Sequence, residues 1–196
     1  MKLLLLAVIF TISQCRDDDD DSHKFVIFMG PPCSGKSSLI DKVYQLTGCA
    51  KLGLDLIVES QRVDWNTSLY PHYRIEAMRI MERQFSSLLE KRTHVICYET
   101  TGADHALQRL ISMTRIARNK NYSIHLLYQT LAPFQLQRCL RRRNRVQRRQ
   151  VSATDMKTLY FESSVNFERL WREEKKLFNS ITAVPRMEMR QLYGSQ

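Results

Sequence analysis

The chain alternates short apolar runs with longer segments in which apolar residues recur at helical spacing. Four runs have the length and composition of strands: residues 24–29, 50–54, 94–99 and 123–130. Helical spacing is found in residues 36–47, 72–91 and 104–119, in a segment that opens at Pro133, and in a long segment after Ser152. Gly48 is predicted to end the first of these helices. Strands that alternate with helices predict an α/β fold, with a parallel sheet and helices on both faces.

Two of the helices have an apolar stripe that we expect to be buried. In residues 72–91 the stripe consists of Ile75, Met78, Met81, Phe85, Leu88 and Leu89. After the capping pattern at residues 152–155 it consists of Met156, Leu159, Tyr160, Phe167, Leu170 and Trp171. A last strand is predicted in residues 186–193.

The N-terminus differs from the rest of the chain. Residues 1–15 have the layout of a secretory signal peptide: Lys2 is followed by an apolar run from Leu3 to Ile12 and then by small or polar residues. The run is too short to span a bilayer, so no stable membrane span is predicted. Residues 16–23 form an acidic spacer, and residues 24–196 form one domain. We expect a secreted protein, or a cytoplasmic one if the leader does not function.

The formal net charge is +10, and it rises to +13 when residues 1–22 are left out. Seven arginines between Arg138 and Arg149 hold much of this charge. Such a cluster favours the phosphates of a small molecule, a nucleic-acid backbone or an anionic membrane. No aromatic residue interleaves the arginines to stack bases, which argues against a single-strand nucleic-acid groove.

The five cysteines, at positions 15, 33, 49, 97 and 139, lack paired spacing such as C-x-x-C. Neither a zinc site nor a dense disulfide framework is therefore predicted. Cys97 lies inside an apolar run and is expected to be a buried small hydrophobe. This use of cysteine is typical of cytosolic proteins, which conflicts with the leader.

The segment "GPPCSGKSS", residues 30–38, matches G-x-x-x-x-G-K-[ST] and lies between a predicted strand and a predicted helix. The glycines let backbone N–H groups surround phosphate oxygens at the positive end of the helix. Lys36 is predicted to reach the β and γ phosphates of ATP, and Ser37 to ligate Mg²⁺. The whole loop is predicted to bind nucleotide: Gly30, Pro31, Pro32, Cys33, Ser34, Gly35, Lys36, Ser37 and Ser38.

Two acidic residues follow the next two strands. Asp55 comes after the second strand and Glu99 ends the third, where α/β sheets place their ligands. Phosphoryl transfer to an alcohol needs a carboxylate to accept the proton of the attacking hydroxyl. The alternatives are a cap or turn residue for Asp55, with Asp64 as a competitor for its role, and a solvated loop carboxylate for Glu99.

Five segments together resemble the zeta toxin family of P-loop kinases. They are "GPPCSGKSS", the aspartate after the second strand, "YRIEAMRIMERQF", "HVICYETTGADHALQRLISMTRIARNKNYSIHLLYQTLAP" and "YFESSVNFERLW". The resemblance covers most of residues 24–193. It implies transfer of phosphate from ATP to a small hydroxylated acceptor such as a nucleotide sugar.

The resemblance also implies residue roles. Lys36 and Ser37 correspond to the phosphate and metal ligands and Asp55 to the general base, while Glu99, Thr100 and Thr101 form the substrate-binding strand end. Arginines after the fourth strand close over the nucleotide, and Arg138, Arg142 and Arg149 are the nearest matches.

Three functions stay open on the sequence alone. A small-molecule kinase ranks first, a polynucleotide 5′-hydroxyl kinase second, and a nucleotide-binding module without turnover third. The sequence names neither the acceptor nor the oligomeric state.

Overall fold

The structure is a computed structural model that describes residues 23–60, 70–146 and 152–185. Five strands occur in these ranges: β1 (His23–Met29), β2 (Ala50–Gly53), β3 (Val95–Thr100), β4 (Tyr122–Thr130) and β5 (Ser180–Pro185). The same ranges contain six α-helices: α1 (Lys36–Thr47), α2 (Leu54–Ser60), α3 (Tyr70–Glu90), α4 (Asp104–Asn119), α5 (Pro133–Val146) and α6 (Ala153–Glu173). A 3₁₀ helix, Lys175–Leu177, precedes β5.

The strands form one parallel sheet in the order β2-β3-β1-β4-β5. Met29 at the end of β1 is in register with Thr100 of β3 and Tyr128 of β4, and Gly53 of β2 is in register with Glu99. The carboxyl ends of four strands therefore meet at one edge. The predicted fold class, a parallel sheet with helices on both faces, is confirmed.

The core lies on both faces of β1, which explains why residues 25–29 of this strand are all apolar. Val26 and Phe28 pack on the α1 side with Leu39, Ile40 and Val43. The alternate residues of β1 pack on the other side against α2, α3, α4 and α6, and that cluster includes Phe25, Ile27, Met29, Met81, Leu110 and Leu170. The phosphate loop thus leaves a strand that is held rigidly on both faces.

The helix ends agree with their sequence signals. Gly48 adopts a left-handed conformation at the end of α1, and its N–H donates to the carbonyl oxygen of Tyr44. Ser152 caps α6, because its side chain accepts a hydrogen bond of 2.9 Å from the backbone N–H of Asp155. Both predicted boundaries are confirmed.

Three predictions of local structure are wrong or fall outside the described residues. The second strand ends at Gly53, and Asp55 lies in the first turn of the unpredicted helix α2. In the apolar stripes, Ile75 is 46% exposed and Trp171 is 44% exposed. The strand predicted in residues 186–193 lies outside the described residues, and β5 is an earlier segment, in register with β4.

None of the helices in the described part of the chain is both long enough and apolar enough to cross a membrane.

Candidate active site at the carboxyl edge of the sheet

The phosphate loop turns sharply out of β1, and two glycines make the turn feasible. Gly30 has φ of 154°, and a Cβ atom there would lie 2.6 Å from the carbonyl oxygen of Gln129. Gly35 has φ of 97° and precedes the first residue of α1. Side chains at these positions would clash or be strained, so the backbone can follow this path only with glycine.

Lys36 is folded into the loop and is only 6% exposed. Its Nζ donates hydrogen bonds of 2.8 Å to the carbonyl oxygen of Gly30 and 2.9 Å to that of Pro31. The ammonium is thus positioned inside the turn, at the N-terminal end of α1, where the helix dipole also favours anions. Both features suit binding of a phosphate group.

Ser37 and Glu99 are brought together by the fold. The hydroxyl of Ser37 donates a hydrogen bond of 2.9 Å to Oε1 of Glu99, at the end of the neighbouring strand β3. Burial raises the pKa of the Glu99 carboxyl, although the charge of Lys36 and the Ser37 hydrogen bond oppose that shift. The sequence assigned Ser37 to the metal and Glu99 to the acceptor, whereas the structure places the two in contact.

A hydroxyl and a carboxylate oxygen fit Mg²⁺, which prefers oxygen ligands and often binds through one or two protein groups, waters and substrate phosphates. In the described ranges no group of three or more His, Cys, Asp and Glu side chains could hold a metal. The donor set at Ser37 and Glu99 therefore fits an ion that arrives with a nucleotide.

Asp55 lies beside this pair, exposed in the first turn of α2. Its charge is close enough to raise the pKa of Glu99. The proximity follows from the sheet, since β2 and β3 are neighbours with Gly53 opposite Glu99. Of the two predicted carboxylates, one is therefore partly buried against the loop and the other faces solvent.

The threonines after Glu99 shape the turn that follows β3. The hydroxyl of Thr100 accepts a hydrogen bond from the N–H of Gly102, and that of Thr101 accepts one from the N–H of Ala103. Asn166 of α6 donates to the carbonyl oxygen of Gly102 at 2.9 Å. The predicted substrate-binding strand end is thus a turn braced by α6.

Arg74 and His105 form a second polar pair after this turn that sequence patterns did not identify. Nη2 of Arg74 lies 2.8 Å from Nε2 of His105. Burial and the charge of Arg74 lower the pKa of His105, so the neutral imidazole can accept this hydrogen bond. The pair adds a cation between the start of α3 and the start of α4.

Gln129 is another residue that sequence patterns missed. It is 4% exposed near the end of β4, and its Oε1 has no hydrogen-bond partner among the described residues. Its Nε2 would lie 3.7 Å from a Cβ atom built at Gly35. Glu99 was identified as a candidate because it is a polar residue near the end of an apolar strand. Gln129 has the same feature, so the sequence did contain a signal for it.

Arg138 and Arg142 are exposed on α5, whereas Arg149 lies outside the described residues. In the part of the chain that the structure describes, neither Arg138 nor Arg142 forms an ion pair with a carboxylate. Their guanidinium groups carry permanent charge that suits phosphate oxygens.

Cys33 of the phosphate loop forms a disulfide with Cys139 of α5, with their Cα atoms 6.1 Å apart. The sequence, in which no cysteine pair had a recognisable spacing, did not predict this bond. Cys49 and Cys97 are buried and are not part of this disulfide, which confirms that Cys97 is a buried residue, as predicted.

The chain belongs to the AAA domain family, whose model matches residues 25–163. With the phosphate loop and the parallel sheet, this membership defines a P-loop domain with a kinase-like fold. Among curated proteins, none matches the sequence significantly.

Three solved structures share the fold. A chain of the Pnkp1/Rnl/Hen1 RNA repair complex has a TM-score of 0.62 at 20% identity, covering 79% of this chain and 48% of that one. A chain of the PezAT chromosomal toxin–antitoxin system of the human pathogen Streptococcus pneumoniae has a TM-score of 0.59 at 15% identity, covering 92% and 75%. Shikimate kinase from Acinetobacter baumannii has a TM-score of 0.50 at 16% identity, covering 88% and 89%.

Proposed function

We propose that this protein is an ATP-dependent kinase that transfers the γ-phosphoryl group to a hydroxyl of a small molecule of the nucleotide-sugar, sugar or nucleoside type. The observation that carries the proposal is the contact between Ser37 and Glu99 beside Lys36, with Asp55 next to it. This arrangement combines phosphate-binding groups with a second carboxylate that faces solvent.

The nucleotide phosphates bind in the loop of residues 30–38. Lys36 exchanges its contacts with Gly30 and Pro31 for phosphate oxygens, and the N–H groups at the start of α1 point at the same charge. Mg²⁺, when bound at Ser37 and Glu99, would neutralise charge on those oxygens.

Asp55 is the general base of the proposed reaction. An acceptor hydroxyl oxygen forms a bond to the γ phosphorus while the bond from that phosphorus to the bridging oxygen of ADP breaks. The hydroxyl proton passes to the carboxylate of Asp55 and then to solvent. Arg138, Arg142 and Arg149 are proposed to stabilise the charge of the transferring group and exclude water.

The acceptor is proposed to bind near Thr100 and Thr101, between the starts of α3 and α4. Arg74 supports an acceptor that carries negative charge, such as a nucleotide sugar, because its guanidinium lies beside neutral His105. The segments that resemble zeta toxins support this acceptor class, and a chain of the PezAT toxin–antitoxin system shares the fold.

A labelled-phosphate screen tests the proposal. Purified protein with ATP and Mg²⁺ is offered nucleosides, sugars, nucleotide sugars and oligonucleotides. One small-molecule class should be phosphorylated, and Asp55→Asn should reduce that turnover by about a hundredfold or more. Glu168→Gln, an exposed carboxylate on α6, serves as the matched control. Equal turnover in Asp55→Asn would remove Asp55 from the mechanism.

A second candidate is a 5′-hydroxyl polynucleotide kinase. It is supported by the exposed arginines of α5 and by the fold shared with a chain of an RNA repair complex. It requires oligonucleotide binding that weakens steeply with salt. If oligonucleotides neither bind at low salt nor accept phosphate, this candidate is excluded. If no acceptor at all stimulates turnover, ATP binding without catalysis is the function that stands.

A further inference from the structure

The Cys33–Cys139 disulfide joins two segments that would act on the same phosphates. Cys33 lies in the phosphate loop, where its backbone is left-handed with φ of 68°. Cys139 lies on the arginine-bearing helix α5, 106 residues further along the chain. A covalent bond between these two segments links the position of the helix to that of the loop.

Few other described side chains attach α5 to the body of the protein. Leu136 is buried in a small cluster with Leu131 and Met156, against which Cys33 also packs. Phe134 is 72% exposed, and Arg138 and Arg142 extend into solvent. The disulfide is therefore a major restraint on the middle of α5.

The disulfide also determines which side of α5 lies over the loop. Residues three apart on a helix share a face, so Arg142 projects from the same side as Cys139. Arg138 is adjacent to the bonded cysteine. While the bond is intact, these charges stay close to the phosphate-binding turn. The binding of ATP then does not incur the free-energy cost of ordering the helix.

We propose that the disulfide is a redox-controlled clamp, which holds α5 over the phosphate loop and raises the affinity of the protein for ATP. The proposal rests on the proposed function in taking ATP as the ligand. When the bond is reduced, α5 is held by Leu136 and its neighbours alone, and ATP binding must order the helix. We expect the affinity for ATP to fall about tenfold after reduction. This is the effect expected if the arrangement of α5 that binds ATP is populated about ten times less often once the bond is broken.

The redox chemistry balances by thiol–disulfide exchange. To form the bond, the thiols of Cys33 and Cys139 lose two electrons and two protons to a disulfide oxidant, such as an oxidised oxidoreductase, which becomes a dithiol. A dithiol reductant returns the two electrons and two protons and is itself oxidised to a disulfide. Such a bond persists in oxidising compartments.

The test compares ATP affinity of the full chain in its oxidised and dithiothreitol-reduced forms by isothermal titration calorimetry. Peptide mapping without reductant should first show Cys33 linked to Cys139. Cys139→Ser and Cys33→Ser should bind ATP about tenfold more weakly than the oxidised wild type and should not respond to dithiothreitol. Cys49→Ala removes a cysteine outside the disulfide and should keep the wild-type response.

Reduction of the wild type provides the test even if a variant does not fold, with circular dichroism as the check that the reduced protein stays folded. Four results would each overturn the clamp: absence of the linked peptide, equal ATP affinity in both forms, tighter ATP binding after reduction, or global unfolding on reduction. If the affinity responds but no acceptor is phosphorylated, the clamp stands and the kinase proposal fails. If an acceptor is phosphorylated but reduction leaves the affinity for ATP unchanged, the kinase proposal stands and the clamp fails.

Discussion

The hydroxyl of Ser37 donates a 2.9 Å hydrogen bond to the carboxylate of Glu99, although 62 residues separate them in sequence. The bond exists because β1 and β3 are adjacent parallel strands, so that the phosphate loop and the end of β3 meet at one edge of the sheet. It joins a predicted metal ligand to a residue that the sequence had assigned to the acceptor.

Glu99→Gln should lower phosphoryl transfer by about 10- to 100-fold, the usual loss when a group that supports a metal site is changed. The amide keeps an acceptor for the Ser37 hydroxyl but lacks the negative charge. The Mg²⁺ concentration for half-maximal rate should rise, as measured by a magnesium titration of initial rates. Glu168→Gln should leave that concentration unchanged, and a Glu99→Gln enzyme with normal magnesium dependence would contradict the assignment.

The same variant should change how stability depends on pH. Burial raises the pKa of Glu99, so the folded state binds its proton more tightly than the unfolded state does. The contribution of this carboxyl is therefore greatest at low pH and is lost as pH rises through its raised pKa. Urea titrations of both proteins measure this effect. The difference in the free energy of unfolding, wild type minus Glu99→Gln, should decrease as pH rises from about 4 to neutrality. A constant difference would show that Glu99 titrates normally.

Gly30→Ala should damage both the fold and nucleotide binding. The new methyl group would lie 2.6 Å from the backbone oxygen of Gln129, which cannot move without moving β4. A loss of about 1–3 kcal/mol in the free energy of unfolding is expected, with loss of ATP binding by calorimetry. Gly48→Ala is the control, because a Cβ atom there has no neighbour within 4 Å. It should cost about 1 kcal/mol and leave ATP affinity intact.

His125 should contribute to loss of stability in acid. Its Nδ1 lies 2.8 Å from Oγ of Ser180, and burial, assisted by the charge of Lys24, lowers its pKa to about 4. The unfolded chain takes up the proton first, so the stability is present above about pH 6.5 and is lost as pH falls towards 4.

Denaturation of wild type and His125→Asn between pH 7.5 and 4.5 measures this effect. The wild type should lose up to about 3 kcal/mol more than the variant over this range. His72→Asn, at an exposed position on α3, should follow the wild-type profile. Parallel profiles for all three proteins would rule out the contribution of His125.

The double variant Cys33→Ser with Cys139→Ser should unfold more easily than the oxidised wild type. The bond closes a segment of 106 residues, for which restriction of the unfolded chain gives a stabilisation of about 2–5 kcal/mol. Guanidinium denaturation should give the same midpoint for the double variant and for reduced wild type. A midpoint that dithiothreitol does not alter would contradict the stabilising role.

The apolar pattern of the chain was sufficient to predict the fold class. β1 is buried on both faces, and its continuous apolar run reflects that environment. The loop "GPPCSGKSS" contains Gly30 and Gly35 at the two positions where the backbone conformation requires glycine. Its position between a strand and a helix could therefore be predicted from the sequence. Local capping chemistry likewise placed the end of α1 at Gly48 and the start of α6 at Ser152.

Other local features could not be read in this way. The helix α2 has only seven residues, too few for a periodic pattern, and so Asp55 was expected in a turn. Trp171 fits the helical period of the buried stripe, yet 44% of its surface is exposed. Periodicity identifies a helix face but does not show how far the neighbouring elements cover it.

The sequence by itself determined the phosphate loop, the alternation of strands and helices and the positions of Asp55 and Glu99 at or after the ends of two strands, because each depends on residues close together in the chain. Only the tertiary structure decided that Glu99 contacts Ser37, that Gln129 adjoins the loop and that Cys33 bonds to Cys139. These relationships depend on the strand order and on how α5 packs, which are set by contacts between residues far apart in the sequence.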